Sequence, residues 1–216
     1  MAAYFVGSVP TGFLAGRARG VDVRTLGSGN IGATNVIRFL GKPMGFFVLL
    51  VDSLKGWIAC TALVKLAISL FPSSWTAVSN PQTDGAFPID QQFEIVAGLF
   101  AVLGHNYTCW LKFKGGKGIA TSAGVLLAWV PLGLLVALAM WLLVFLLSRY
   151  VSLASIGAAL VLPFAVWLTR NDPVYIWIAA ALSALAIYKH KANIQRLLSG
   201  TEHRFSSHKT SAAAPP

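Results

Sequence analysis

The run from Ile119 to Leu147 contains no charged residue. In hydrocarbon, backbone groups must be satisfied within their own segment, so such a run is helical and membrane-embedded. It is too long for one ordinary span of about 20 residues, and Pro131 interrupts it. A proline in a helix interior removes a hydrogen bond and clashes with the preceding turn. The run is therefore read as two helices, Ile119 to Val130 and Leu132 to Leu147, the first short or beginning deep in the membrane. Only 11% of the chain is charged and 56% is hydrophobic, where a soluble domain carries about a quarter charged residues. The expected fold is all-α, a polytopic transmembrane helix bundle in one domain over residues 1–203. The Ser-, Ala- and Pro-rich residues 204–216 are expected to be a disordered tail.

Five further apolar segments complete about seven membrane helices. They are Tyr4 to Ala15, broken by Pro10 and Gly12, then Met44 to Phe71, Phe93 to Cys109, Leu153 to Leu168 and Val174 to Tyr188. The N-terminus lacks a basic n-region, so Met1 to Ala15 is read as a membrane segment, not a cleaved signal. Seven segments put the N-terminus outside and the C-terminus in the cytoplasm. The basic residues of Arg17 to Lys42, Lys112 to Lys117, Arg149 and Lys189 to Lys209 then share the inner face, as the positive-inside rule requires. The acidic loop Pro72 to Gln92 falls outside. Five segments with longer cytoplasmic loops would expose the same face. The net charge of +10 would raise nucleic acid as a partner of a soluble protein. Here topology, membrane lipids and anionic substrates account for it, and no nucleic acid is expected. Cys60 and Cys109 lie in apolar segments and read as small buried hydrophobes. No His/Cys/Asp/Glu cluster has ligand spacing, so neither a metal site nor another cofactor is expected.

Three polar stretches fall on that inner face. The first is Leu26 to Arg38, where Gly27, Ser28, Gly29, Asn30, Gly32, Thr34 and Asn35 precede Arg38. Small residues with exposed amides and short polar side chains form anion-binding concavities, and an arginine grips phosphate bidentately; a Ser/Gly linker with an Asn cap is the plainer reading. The second is Gly104-His105-Asn106 with Phe113 to Thr121, including Lys114, Gly115, Gly116, Lys117 and Gly118. Glycines followed by a helix start at Gly118 to Thr121 suit an anion, yet a basic cytoplasmic turn has the same composition. It is not a Walker A loop, because Gly118 and not Ser or Thr follows Lys117. The third is Lys189 to Glu202, where His190, Asn193 and Arg196 recur at helical spacing; it is also what an amphipathic helix on lipid headgroups looks like. Asp52 and Lys55 share a helix face within the second apolar segment and form either an ion pair or a site wall. Ser148, Ser152 and Ser155 lie near the inner end of their helices, bonding helix carbonyls or meeting a ligand.

These stretches resemble the three signature motifs of the bacterial acyl-phosphate:glycerol-3-phosphate acyltransferases, the PlsY type. The matching runs are Gly27 to Asn35 with Arg38, Gly104-His105 with Phe113 to Thr121, and His190-x-x-Asn193-Ile194-x-Arg196 with Gly200 and Glu202. Ser8 to Gly12, Asp52-x-x-Lys55-Gly56 and Ser152 to Ser155 fit as well. The resemblance runs from residue 4 to residue 202. Departures are the early N-terminal start, the longer loop at Pro72 to Gln92 and the tail. The resemblance implies a multi-pass enzyme of the bacterial cytoplasmic (inner) membrane with its site facing the cytoplasm. It implies transfer of a fatty acyl group from acyl phosphate, made by another enzyme, to the sn-1 hydroxyl of glycerol-3-phosphate. The products are lysophosphatidic acid and phosphate, in the first acylation step of phospholipid synthesis. It assigns Ser28, Asn30, Arg38, Lys117, His190 and Asn193 to catalysis. It assigns Gly27, Gly29, Gly32, Thr34, Asn35, His105, Lys114, Gly115, Gly116, Gly118, Ser155 and Arg196 to substrate binding. Ser28 to Asn35 with Arg38 is expected to hold the acyl-phosphate group, and Lys114, Lys117, His190 and Asn193 the glycerol-3-phosphate. The proton acceptor is either a phosphate oxygen of the donor or His190. Glu202 is expected to be structural, pairing with the Arg and Lys residues of the motifs.

Two other functional classes fit part of the sequence. A carrier for an anionic metabolite would suit broken helices, but the basic stretches have no counterpart on the outer side. A metal-dependent phosphatidyl-alcohol transferase needs clustered acids, and Asp22, Asp52 and Glu202 are scattered.

Overall fold

The computed structural model describes residues 1–70 and 88–205. Among these the structure is helical, and the helices are named here α1 to α11. Pro10 divides the first segment into α1 (Ala2–Ser8) and α2 (Thr11–Arg17). The short α3 (Ala33–Leu40) precedes α4 (Lys42–Cys60) and α5 (Ala62–Leu70), which are separated at Thr61. The expected continuous segment Met44 to Phe71 is thus interrupted there, and the Thr61 hydroxyl donates back to the Trp57 carbonyl at 2.8 Å. Helix α6 (Ile89–Asn106) ends earlier than expected, and Cys109 lies beyond it in a 3₁₀ turn, Cys109–Leu111.

Pro131 acts as expected: α7 (Ile119–Trp129) and α8 (Pro131–Ser148) are separate helices with proline at the first position of the second, where its missing N–H costs nothing. Then follow α9 (Val151–Thr169), α10 (Pro173–Lys189) and α11 (Lys191–Leu198). Among the described residues three stretches are long and apolar enough to cross a membrane, Lys42–Leu70, Pro131–Ser148 and Val151–Thr169; Ile119–Trp129 and Pro173–Lys189 are shorter apolar helices. Large apolar side chains such as Leu132, Leu147 and Trp177 are exposed on the outside, the surface a bilayer covers. The loop Pro72 to Gln92 falls mostly outside the described residues, as do residues 206–216. Arg204 and Phe205, expected in the tail, are instead docked. The Phe205 amide donates to the Arg149 carbonyl at 2.8 Å, and its ring meets that of Phe145 edge-on.

Helix α8 packs along α9, α4 along α7, α1 along α6 and α9 along α10. The α4–α7 pair approaches closely through two glycines. A Cβ on Gly56 would stand 2.2 Å from the Thr121 carbonyl oxygen, and one on Gly124 would stand 1.8 Å from that of Ser53. Small residues let helix backbones meet where lipid gives no hydrophobic drive for association. This contact fixes the start of α7, and with it the glycine-lysine turn, against α4. The main core lies among α6 to α10 around Trp129, Val125, Val166 and Tyr175. A second core, Val23, Val36, Val48 and Leu111, supports the first polar stretch.

Candidate active site

Asn35 organises the first polar stretch. Its buried side chain accepts from the Ser28 amide and hydroxyl, each at 3.2 Å, and donates to the Val23 and Leu26 carbonyls, each at 3.0 Å. The chain can turn this tightly because Gly27 and Gly29 take φ of +54° and +68°, a region costly for other residues. The Asn30 side chain accepts from the Gly32 amide at 3.3 Å, and Gly32 caps α3. Arg38, on α3, donates to the His203 carbonyl at 3.2 Å. Burial, offset in part by Glu202, lowers the pKa of its guanidinium.

The second stretch folds back on the end of α6. The Gly116 amide donates to the His105 carbonyl at 3.0 Å and that of Gly115 to Asn106 at 3.2 Å. Gly118, with φ of +81°, caps α7. Lys117 is directed inward and donates to the Asn193 side-chain carbonyl. Burial is the main cause that brings its pKa down to about 8, and the charges of Arg196, Arg38 and Lys189 add to it.

The third stretch is held by a buried carboxylate. Glu202 accepts from Ser152, Asn193 and Arg196, each at 2.7 Å. Burial opposes its charge, but those donors outweigh it and hold its pKa below the usual value. His190 sits between α10 and α11, with Nδ1 2.7 Å from the Ala186 carbonyl. A carbonyl only accepts, so Nδ1 carries the proton and Nε2 is left as an acceptor in the neutral ring. Burial, and then the Lys117 charge, bring the His190 pKa down to about 4. The ring is thus neutral at physiological pH and suits receiving a hydroxyl hydrogen bond better than donating to a phosphate.

All three stretches meet in one pocket of about 400 Å³. Ser28, Asn30, Gly32, Thr34, Asn35 and Arg38 line it from the first; His105, Lys117 and Gly118 from the second; His190, Asn193 and Glu202 from the third. Ser155 also lines it, with its hydroxyl accepting from the Trp141 indole at 3.1 Å. Other candidates lie off the wall. Gly27 and Gly29 shape the turn behind Ser28. Gly115 and Gly116 pack on His105, where a Cβ would stand 2.0 Å from its carbonyl oxygen and 2.1 Å from its Nε2 respectively. Lys114 is exposed, just past Lys112 and Phe113 at positive φ. Arg196 is committed to Glu202. Neither cation therefore contributes to the wall as expected.

Trp141 and Leu138 were not anticipated, because nothing distinguishes them from lipid-facing residues in an apolar run. Together with Ile119, Ala123 and Ser155 they also line an adjoining apolar cleft of about 100 Å³ among α7 to α10. A cationic, donor-rich pocket that opens into an apolar cleft can hold a molecule with an anionic head and an oily tail.

A model of the glycerol-3-phosphate acyltransferase family matches residues 1–200. Among curated relatives, the glycerol-3-phosphate acyltransferase of Geotalea daltonii is 45% identical over 203 residues, 94% of each chain. That of Aquifex aeolicus is 42% identical over 204 residues, covering 94% of this chain and 95% of the relative. Among solved structures, PlsY, an integral membrane glycerol 3-phosphate acyltransferase, superposes in its glycerol 3-phosphate form with a TM-score of 0.79 at 40% identity, covering 95% of this chain and 92% of that one. Its lysophosphatidic acid form gives 0.77 at 39% identity, with 96% and 93% covered.

Proposed function

This chain belongs to the glycerol-3-phosphate acyltransferase family, and we propose that it moves a fatty acyl group from acyl phosphate to the sn-1 hydroxyl of glycerol-3-phosphate. The reading places the enzyme in the bacterial inner membrane with its pocket open to the cytoplasm, downstream of the enzyme that makes acyl phosphate. The observation that carries it is the junction at Leu138, Trp141 and Ser155 between the cationic pocket and the apolar cleft. An acyl phosphate needs both, its phosphate among donors and its chain in the cleft.

In this reading the Ser28 to Asn35 turn and Arg38 hold the donor phosphate, while Lys117 and Asn193 hold the glycerol-3-phosphate. Charge neutralisation and fixed geometry lower the barrier. The sn-1 oxygen attacks the acyl carbon, the bond from that carbon to the phosphate oxygen breaks, and phosphate leaves. The proton of the attacking hydroxyl passes to a phosphate oxygen of the donor. His190 Nε2 orients that hydroxyl by accepting its hydrogen bond. In the free pocket His190 has a pKa of about 4, which makes it a weak general base, and this reading therefore gives the proton to the donor phosphate.

The purified protein in detergent should release phosphate from acyl phosphate only when glycerol-3-phosphate is present, and should ignore acyl-CoA and acyl carrier protein. Equal turnover with either alternative donor would sink the donor assignment. Phosphate release without glycerol-3-phosphate would sink acyl transfer.

A further inference from the structure

Asp52 is buried on α4 and lines the pocket, and its ties are one-sided. Thr11 donates to Oδ1 at 2.9 Å, Lys55 reaches the same oxygen at 2.8 Å, and His105 Nδ1 stands 3.7 Å from it. Lys55 is itself anchored on the Val9 carbonyl at 3.0 Å, where Pro10 breaks the first helix. Elements α1, α2, α4 and α6 therefore hold one carboxylate in one orientation.

The pocket's other side-chain carbonyl and carboxylate oxygens are already engaged. Asn30 receives the Gly32 amide, Asn35 receives Ser28, Asn193 receives Lys117, and both oxygens of Glu202 receive donors. Among the described lining residues, Asp52 Oδ2 is the one such oxygen with no donor. Asp52 is only 3% exposed and lines the pocket, so a donor for this oxygen has to come from the pocket itself. The His105 ring offers no substitute, because Gly116 covers its Nε2: a Cβ there would lie 2.1 Å away.

A site otherwise built of donors and cations suits phosphate oxygens. A glycerol backbone adds hydroxyl donors that need acceptors, since a buried donor left unpaired costs about 1–3 kcal/mol. We propose that Asp52 is a specificity residue whose Oδ2 accepts the hydrogen bond of the substrate's C2 hydroxyl. The inference rests on glycerol-3-phosphate as acceptor substrate. The reacting C1 oxygen must face the acyl carbon, and so the apolar cleft. That cleft lies among α7, α8, α9 and α10, and no residue of α4 lines it. Asp52 stands on the wall away from it, where the C2 hydroxyl is left.

The test compares glycerol-3-phosphate with propane-1,3-diol monophosphate, which lacks only that hydroxyl. Wild-type protein should prefer glycerol-3-phosphate by about tenfold or more in kcat/KM, the scale of one hydrogen bond to a charged group. Asp52→Asn, and the double variant Asp52→Leu/Lys55→Met that removes both charges, should bring the ratio toward one by depressing the glycerol-3-phosphate value. A fold-wide defect would lower both substrates together and leave the ratio unchanged, and that result overturns the proposal. So does a wild-type ratio near one. Where a variant does not turn over, the same ratio is read from equilibrium binding of the two phosphates. Failure of the acyl-transfer reading is separate: wild-type protein would then transfer to neither compound, while the binding ratio still tests Asp52.

Discussion

Lys117 gives the sharpest prediction, because its charge is held in the pocket against a desolvation cost. With its pKa at about 8, about ten-elevenths of the free enzyme is cationic at pH 7 and about one-eleventh at pH 9. If that cation holds the phosphate dianion, kcat/KM for glycerol-3-phosphate falls about tenfold across this interval, since kcat/KM reports ionisations of the free enzyme. The substrate's own second phosphate ionisation, at about 6, is largely finished before the limb begins. Once substrate is bound, the dianion beside Lys117 raises its pKa, so the limb in kcat moves to higher pH or disappears. Lys117→Arg keeps the charge throughout, because a guanidinium stays protonated; it should abolish the limb even where a poorer fit to Asn193 lowers the rate. The assay is phosphate release from acyl phosphate in detergent between pH 7 and 9.5, with spontaneous hydrolysis subtracted. A flat wild-type profile, or the same limb in Lys117→Arg, refutes the reasoning.

Gly124→Ala should destabilise the protein by about 1–3 kcal/mol through overpacking of α4 against α7, read as a lower unfolding temperature in detergent; an unchanged melt would mean the helices tolerate a wider spacing. Asn35→Ala leaves the Ser28 amide without a partner, at about 1–3 kcal/mol if it stays buried, and strips one donor from the Val23 and Leu26 carbonyls, which keep the Leu26 and Gly29 amides; it should speed hydrogen exchange across residues 23–32 while weakening acyl-phosphate use. Glu202→Gln keeps acceptance from Ser152 and Asn193 but loses the ion pair to Arg196, a loss of about 1.5–3 kcal/mol. Its linkage sign is that of a depressed carboxylate: its stabilisation is present above the unfolded pKa and lost as pH falls through the folded one. The variant should therefore melt with a flatter pH dependence below about 4.5 than wild type.

Much of this arrangement is legible in the sequence because the bilayer permits so few folds. A charge-free run must be helix, so Pro131 has to be a boundary, and α7 and α8 fall where expected. The break at Thr61 was not legible, since Thr is tolerated inside apolar helices and carries no break signal of its own. The three polar stretches announce themselves by composition, yet composition does not separate wall from scaffold. Lys114 and Lys117 are equivalent as letters, and only the folded turn, which carries positive φ at Lys112 and Phe113, leaves Lys114 exposed and Lys117 in the pocket. That Glu202 pairs with a motif cation is legible in the sequence, but not that Arg196 is the cation it takes out of the wall. Asp52 and Lys55 signalled a pair, but which oxygen stays open depends on Thr11 and on the carbonyl at Val9.

The shared wall at Leu138, Trp141 and Ser155 has a kinetic consequence. One reactant would arrive by three-dimensional diffusion in water and the other by two-dimensional diffusion within the lipid leaflet. The rate should then follow the mole fraction of acyl phosphate in the micelle or bilayer and not its bulk molarity, so diluting the same amount of donor with inert detergent should slow turnover at constant total concentration.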